Sequence, residues 1–153
     1  MGLQRWRLLL PGLWAGWLLC VAALATPAPF ALLPQAEAGR VAARMLAQEA
    51  YTALALGVVL LLLERVAARR DAARGQGSQF STGMVLALGT LFCTVAGYFA
   101  LLPMMAAARA GQGPLSFGQL HAVSAVFYGV KLLLVLALAW RAAGPGLSRQ
   151  PSS

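Results

Sequence analysis

The chain has 153 residues, of which 60% are apolar and 10% are charged, and its mean hydropathy is +0.74. Soluble domains usually contain about a quarter charged residues, so this composition predicts a protein whose solvent is a lipid bilayer. The net charge of +8 would also suit a nucleic-acid binder. However, the arginines lie at the ends of apolar runs, where they indicate membrane orientation. We therefore expect the lipid bilayer as partner, and no nucleic acid.

Four apolar stretches are long enough to form membrane-spanning helices, each of which needs about 20 residues. The predicted spans cover residues 8–33, 45–63, 83–103 and 119–140. The sequence thus predicts an all-α integral membrane protein, a four-transmembrane-helix bundle that forms a single domain over residues 1–145. Residues 146–153 are predicted to form a disordered C-terminal tail.

The first span also has features of a secretory signal peptide. Arg5 and Arg7 precede its apolar core, and Ala23-Leu24-Ala25 fits an A-x-A cleavage site. The uncharged run nevertheless continues to Pro34, which is longer than a secretory core requires. We therefore expect a retained transmembrane helix, with cleavage of residues 1–25 as the alternative.

The arginines at the span ends predict the direction in which the helices cross the membrane. With the N-terminus in the cytoplasm, the outer side carries only Arg40, Arg44 and Arg109. The inner side then carries eight arginines, Arg5, Arg7, Arg65, Arg69, Arg70, Arg74, Arg141 and Arg149. Because cytoplasmic loops are enriched in positive residues, both termini are predicted to be cytoplasmic. The arginine- and alanine-rich composition favours a bacterial source, and hence the bacterial cytoplasmic (inner) membrane.

Polar side chains in the fourth span lie on one face. At 100° per residue, this face covers roughly 80° of arc. Its members are His121, Ser124, Tyr128 and Lys131. Lipid does not accommodate such a stripe, so we expect it to point into the bundle. A capping box formed by Ser116 and Gln119 is predicted to open this helix, as Pro34 is predicted to begin the second.

The second span is short, because its uninterrupted uncharged run covers only the 14 residues from Ala50 to Leu63. Glu49 is therefore drawn toward the membrane, and no basic residue lies three or four positions away from it on the same helix. We expect Lys131, the only lysine of the chain, to be its partner, with His121 as the competing partner. A polar stripe at the outer mouth of this helix comprises Glu37, Arg40, Arg44, Gln48 and Tyr51.

Small residues recur on the first and third spans. In the first span, every fourth residue is small, at Gly12, Gly16 and Cys20. In the third span the small residues are Thr90, Cys93, Thr94 and Gly97. Such stripes let helix backbones approach closely, either within one chain or between the copies of a homo-oligomer.

The polar residues allow functions of two classes. One is an intramembrane site, formed by Glu49, His121, Ser124, Tyr128 and Lys131, that binds or passes a proton or small solute. The same residues could instead only clamp the helices together. The alternative function is a membrane redox protein linked to haem or a quinone, although one histidine does not supply both axial ligands of a b-type haem. We predict no catalytic residue, metal site or cofactor, and the sequence does not identify a ligand.

Three stretches resemble a bacterial protein family. They are AGRVAARMLAQEAY, FSTGMVLALGTLFCTVAGYFALLPMM and SFGQLHAVSAVFYGVKLLLVLALAW. The family is the domain of unknown function numbered 4149, which is similar to the eukaryotic transmembrane protein 205-like proteins. The resemblance extends over roughly residues 8–140 and implies a small four-helix integral membrane protein. It implies no catalytic role for any residue.

Overall fold

The computed structural model of the chain describes residues 2–144. All the regular secondary structure in those residues is helical. Four long helices are formed, α1 (Gly2–Leu32), α2 (Gln35–Ala73), α3 (Thr82–Arg109) and α4 (Phe117–Ala143). Each is long and apolar enough to cross a membrane, which confirms the predicted all-α fold with four helices of spanning length. The C-terminal tail predicted over residues 146–153 lies outside the described residues.

Short connections join the helices, so that consecutive helices alternate in direction. The start of α1, the end of α2, the start of α3 and the end of α4 meet at one end, which we call the N-terminal end of the bundle. The other end, called the loop end, holds the α1–α2 and α3–α4 connections. With 39 residues, α2 is about 58 Å long, whereas the hydrocarbon core of a bilayer is about 30 Å thick. Its charged terminal turns therefore extend past its apolar segment.

The four helices pack around a common centre. Helix α1 contacts α2 and α4, and α3 contacts the same two helices. Helices α2 and α4 consequently face each other across the centre of the bundle. The buried core contains one large aromatic side chain, Trp14, packed with Leu18, Leu60, Val135 and Leu138.

Prolines interrupt the regular α-helical backbone of α1 and α3. A π-helical segment occurs at Val21–Ala25 in α1 and another at Val95–Ala100 in α3. Pro27 and Pro103 follow these segments, and each lacks the N–H that would close an ordinary helical turn. A local widening of the helix lets neighbouring backbone groups find other partners, which explains why the segments occur just before these prolines.

The starts of α3 and α4 are capped by serine side chains. The predicted capping box of α4 is confirmed, since the Gln119 N–H donates to Ser116 Oγ at 3.2 Å and the Ser116 N–H donates to Gln119 Oε1 at 2.9 Å. Ser81 caps α3 by accepting the Met84 N–H at 3.2 Å. Pro34 is predicted to lie in the first turn of α2. It is instead the cap residue, one position before the helix begins at Gln35.

The two predicted stripes of small residues face different surroundings. In α1, a Cβ added at Gly12 or Gly16 would meet no atom within 4 Å, and Cys20 is exposed, so this stripe lies outside the bundle. In α3, Thr90 and Thr94 are buried. Their hydroxyls donate to the carbonyls of Ala87 at 2.7 Å and Thr90 at 2.9 Å in the same helix. These threonines are therefore packing residues whose polar atoms are satisfied locally.

Candidate functional site

A buried ion pair crosses the centre of the bundle. Lys131 Nζ on α4 donates to both carboxylate oxygens of Glu49 on α2, at 2.7 Å to Oε1 and 3.0 Å to Oε2. The side chains are only 4% and 3% exposed, respectively. Because α2 and α4 lie opposite each other, two long side chains are needed to bridge the gap between them. The structure thus contains the pairing expected from the sequence.

Small residues on α2 create the space around Glu49. The buried face of this helix carries Ala42, Ala50, Ala53 and Gly57. At Gly57, a Cβ would lie 2.7 Å from the side chain of Leu91 on α3. Any larger residue would therefore have to displace that side chain. With α2 held close to its neighbours, the Glu49 side chain can extend to the centre of the bundle.

Two hydroxyls of α4 make further bonds to other helices. Ser124 Oγ donates to the Gly97 carbonyl of α3 at 2.6 Å, within the π-helical segment. The Tyr128 hydroxyl donates to the Leu18 carbonyl of α1 at 2.8 Å. The Tyr128 ring also lies 4.7 Å from Lys131 Nζ, a cation–π distance. The three polar side chains of α4 therefore bond three different helices, α1, α2 and α3.

His121 lies apart from this group. Its side chain is exposed near the start of α4, and its ring stacks on that of Phe117 with a centroid distance of 5.9 Å. The Arg109 guanidinium lies 4.3 Å from the centre of the same Phe117 ring. The expectation that the whole polar stripe points inward is therefore wrong at His121, which is exposed although the preceding residue, Leu120, is buried. Among the described residues, the competing Glu49–His121 pair is not formed.

A small cavity of about 40 Å³ borders the ion pair. A water molecule needs about 10–15 Å³ of such space, so the cavity is of water size. It is lined by Leu46, Glu49, Cys93, Thr94, Gly97, Tyr98, Ser124, Tyr128 and Lys131. The pair thus has polar neighbours from α3 and α4, and the cavity has room for a hydrogen-bonding molecule of the size of water.

The predicted outer-mouth stripe of α2 faces away from this cavity. Its members Arg40, Arg44, Gln48 and Tyr51 are all exposed. The Tyr51 ring packs edge-to-face on Phe99, with centroids 5.4 Å apart. The stripe therefore covers the outside of the bundle and contributes no lining to the cavity.

A second ion pair, which the sequence analysis missed, ties α1 to α2 at the N-terminal end. Arg7 Nε donates to Glu64 Oε1 at 2.7 Å, and Arg7 Nη2 donates to Glu64 Oε2 at 2.9 Å. The carboxylate sits against Gly83 of α3, where any Cβ would overlap it. The sequence carries only a partial signal: Glu64 ends the apolar run of α2 at the same end as Arg7, but nothing selects Arg7 from the other arginines at that end.

No metal centre is built from the part of the chain that the structure describes. Within residues 2–144, no three His, Cys, Asp or Glu side chains are grouped closely enough to hold a metal ion. The two cysteines are free thiols, with Cys20 exposed and Cys93 buried.

The fold and the ion pair define a small four-helix protein whose helices are long and apolar enough to cross a membrane and which carries a buried charge pair at its centre. A family model described as Domain of unknown function (DUF4149) matches residues 9–114, or 106 of the 153 residues. The chain belongs to this family, as the sequence resemblance predicted. The match includes Glu49 and Glu64 and ends before α4. The likeness to transmembrane protein 205-like proteins stays an expectation.

No curated protein matches the chain, and no solved structure matches it either.

Proposed function

We propose that the protein is a multi-pass protein of the bacterial inner membrane that binds and passes protons at the centre of its bundle. Both termini are cytoplasmic in this proposal, because most arginines lie at the N-terminal end. The proposed proton-binding group is the Glu49 carboxylate, and Lys131 is its counterion. One observation carries the proposal: a buried charge pair borders a polar cavity of water size.

The energetics of buried charge support a role beyond packing. Removing an ion from water costs several kcal/mol, even after the surrounding protein relaxes. Apolar side chains of similar volume often stabilise a core as well as a buried ion pair, or better. Ionisable groups within membrane helices therefore commonly mark ion or proton pathways. Glu49 and Lys131 fit that description because both lie in helices of spanning length.

A proton on Glu49 would change the geometry of the site. Neutralising the carboxylate removes its attraction for the Lys131 ammonium, which is then free to turn toward the cavity. The hydroxyls of Ser124 and Tyr128 donate to backbone carbonyls, so their lone pairs remain available to accept from that ammonium. The proposal is therefore a two-state site in which the ion pair closes the pathway and protonation of Glu49 opens it.

A purely structural clamp is the second candidate role. The observation that favours it is that Ser124, Tyr128 and Lys131 each already bond a different helix. In that case the pair would orient α2 and α4, and no proton would move. The two roles differ in what happens to proton flux when the pair is removed from a folded protein.

Proteoliposomes that enclose a pH-sensitive dye test the proposal. With a membrane potential imposed, we expect the wild-type protein to acidify or alkalinise the lumen faster than protein-free liposomes do. Glu49→Gln should lower this rate by about a hundredfold, the scale of losing a group that transfers protons. Lys131→Met should lower it as well, because a buried Glu49 without its counterion would keep its proton and could not return to the charged state. Flux is normalised to the amount of folded protein.

The matched control is Glu64→Gln, the same substitution on the same helix at the other ion pair. It should lower the thermal stability through loss of the Arg7 contact and leave the flux per folded protein unchanged. Absence of flux in the wild-type protein, or an equal loss of flux in Glu64→Gln, would reject the pathway and favour the clamp.

A further inference from the structure

A pocket of about 170 Å³ opens between the start of α1 and the last turns of α2. It is lined by Leu3, Gln4, Arg7, Ala67, Arg70, Asp71 and Arg74. Its volume is more than ten times the about 10–15 Å³ of such space that one water needs, so it can accept a polyatomic group. It lies at the N-terminal end of the bundle, far along α2 from Glu49.

The charges that line this pocket favour an anion. Three arginines and one aspartate give the lining a net charge of +2. Arg7 is already paired with Glu64, but Arg70 and Arg74 have no carboxylate within 4.0 Å among the described residues. Both are exposed, so their guanidinium groups can reach a ligand that enters from outside.

Gln4 adds a neutral hydrogen-bond donor to the arginines. Its Oε1 accepts from Arg7 Nη1 at 3.4 Å, which leaves its amide N–H groups for another acceptor. Guanidinium forks and amide N–H groups together match the oxygens of a phosphate, which accepts several hydrogen bonds at once. Asp71 is the one lining group that opposes such an anion.

Aromatic residues place the pocket at the depth of lipid head groups. Trp6, which precedes the lining residue Arg7 in the chain, is 55% exposed, and Trp140 is 83% exposed at the same end of the bundle. Exposed tryptophans gather at the interface between membrane and water. Leu8 and Leu9, also exposed, continue α1 on the apolar side. The pocket mouth thus lies where a lipid phosphate is presented.

From this geometry we infer that the Gln4–Arg70–Arg74 pocket binds the phosphate of an anionic phospholipid head group. Basic pockets between membrane helices recognise head groups in this way, by direct arginine contacts added to the general attraction of an anionic surface. The lipid would bridge the beginning of α1 and the end of α2 and so hold the N-terminal end of the bundle together.

Titration of the detergent-solubilised protein with phosphatidylglycerol, read by native mass spectrometry, tests this site. A neutral detergent and about 0.15 M salt remove the surface potential and screen distant charges. We expect one tightly bound phosphatidylglycerol, and about tenfold or more weaker binding after Arg70→Gln/Arg74→Gln. Asp71→Asn, which removes the opposing charge, should strengthen binding severalfold.

The matched control is Arg65→Gln/Arg69→Gln, which removes the same charge from the same end of α2 without touching the pocket lining. This control should bind phosphatidylglycerol within about twofold of wild type, because its charges act only through screened solvent. Equal weakening by both double variants would overturn the site in favour of general charge attraction. Weaker phosphatidylglycerol binding in Asp71→Asn would overturn a site defined by the phosphate, since the carboxylate would then be holding the glycerol hydroxyls of the head group.

Inorganic phosphate and phosphatidylcholine distinguish the sources of the phosphate group. A lipid site predicts that millimolar inorganic phosphate neither binds alone nor displaces phosphatidylglycerol, and that phosphatidylcholine binds much more weakly. Binding of inorganic phosphate through Arg70 and Arg74, with phosphatidylglycerol excluded, would overturn the lipid assignment. Circular dichroism and the melting temperature establish that each variant is folded.

Discussion

Glu49 and Lys131 depend on each other for their place in the core. A single buried charge without its partner is destabilising by about 3–5 kcal/mol, whereas removal of both charges leaves no ion to desolvate. Each carboxylate oxygen of Glu49 receives a hydrogen bond from the same ammonium. Replacing Lys131 therefore removes both donors, and replacing Glu49 removes the charged acceptor. The pair is therefore strongly coupled, and its coupling is measurable.

A double-mutant cycle measures that coupling. Lys131→Met alone should lower the free energy of unfolding by about 3–5 kcal/mol, because Glu49 stays buried without a counterion. The double variant Glu49→Gln/Lys131→Met should recover most of this loss. Unfolding by a denaturing detergent, followed by circular dichroism, gives the four free energies of the cycle, for the wild type, Glu49→Gln, Lys131→Met and the double variant. Additive losses would show that the two side chains do not interact.

The two ion pairs differ in how visible they are in the sequence. Lys131 is the only lysine, and it stands inside an apolar run where any charge needs an explanation. Arg7 is one of eleven arginines and lies among terminal charges that membrane orientation already explains. The first pair could therefore be predicted. The second requires knowing that α1, α2 and α3 meet where Gly83 leaves room for Glu64.

At the scale of the helices, glycines have opposite roles in α1 and α3. Gly83 admits the Glu64 carboxylate, and Gly97 packs against Phe127 so closely that a Cβ would overlap it. Gly12 and Gly16 face open space on the outside of α1. Spacing alone could not separate these cases, because both helices show the same pattern of small residues.

Alanine substitutions should separate the two groups of glycines. Gly83→Ala should destabilise the protein by about 1–3 kcal/mol, because the added methyl group displaces the carboxylate that Arg7 binds. Gly12→Ala should be neutral or stabilising by up to about 1 kcal/mol, since alanine is the better helix former and meets no neighbour. Melting temperatures in the same detergent provide the comparison. Equal effects would contradict the packing described for Gly83.

Helix number could be predicted more reliably than helix ends. A run of about 20 apolar residues is a strong requirement, so the four helices follow from composition along the chain. The helical backbone then continues into polar residues, as α2 does from Gln35 to Ala73, because its hydrogen bonds do not require an apolar surface. His121 belongs to α4 yet is exposed, because it lies about 100° around the helix from the buried Leu120. The π-helical segments depend on local backbone adjustment that periodicity does not reveal.

For the molecule as a whole, four antiparallel helices place both ends of the described chain on one side. The arginine excess at that end predicts that this side is the cytoplasm. A reporter that is active only in the cytoplasm should therefore be active when fused to either terminus. The same reporter should be inactive when inserted after Gly111, in the α3–α4 connection. The reverse pattern would contradict the proposed orientation.

The two ion pairs can form only in a fixed order while the chain is synthesised. Arg7 and Glu64 are separated by 57 positions and can meet once α1 and α2 have been synthesised. Glu49 must wait for Lys131, which follows it by 82 positions, or about 4–16 s of translation. During that interval the carboxylate has no lysine to neutralise it. The buried ion pair therefore cannot form until α4 has been synthesised, and a chain that ends after α3 keeps a carboxylate without its counterion.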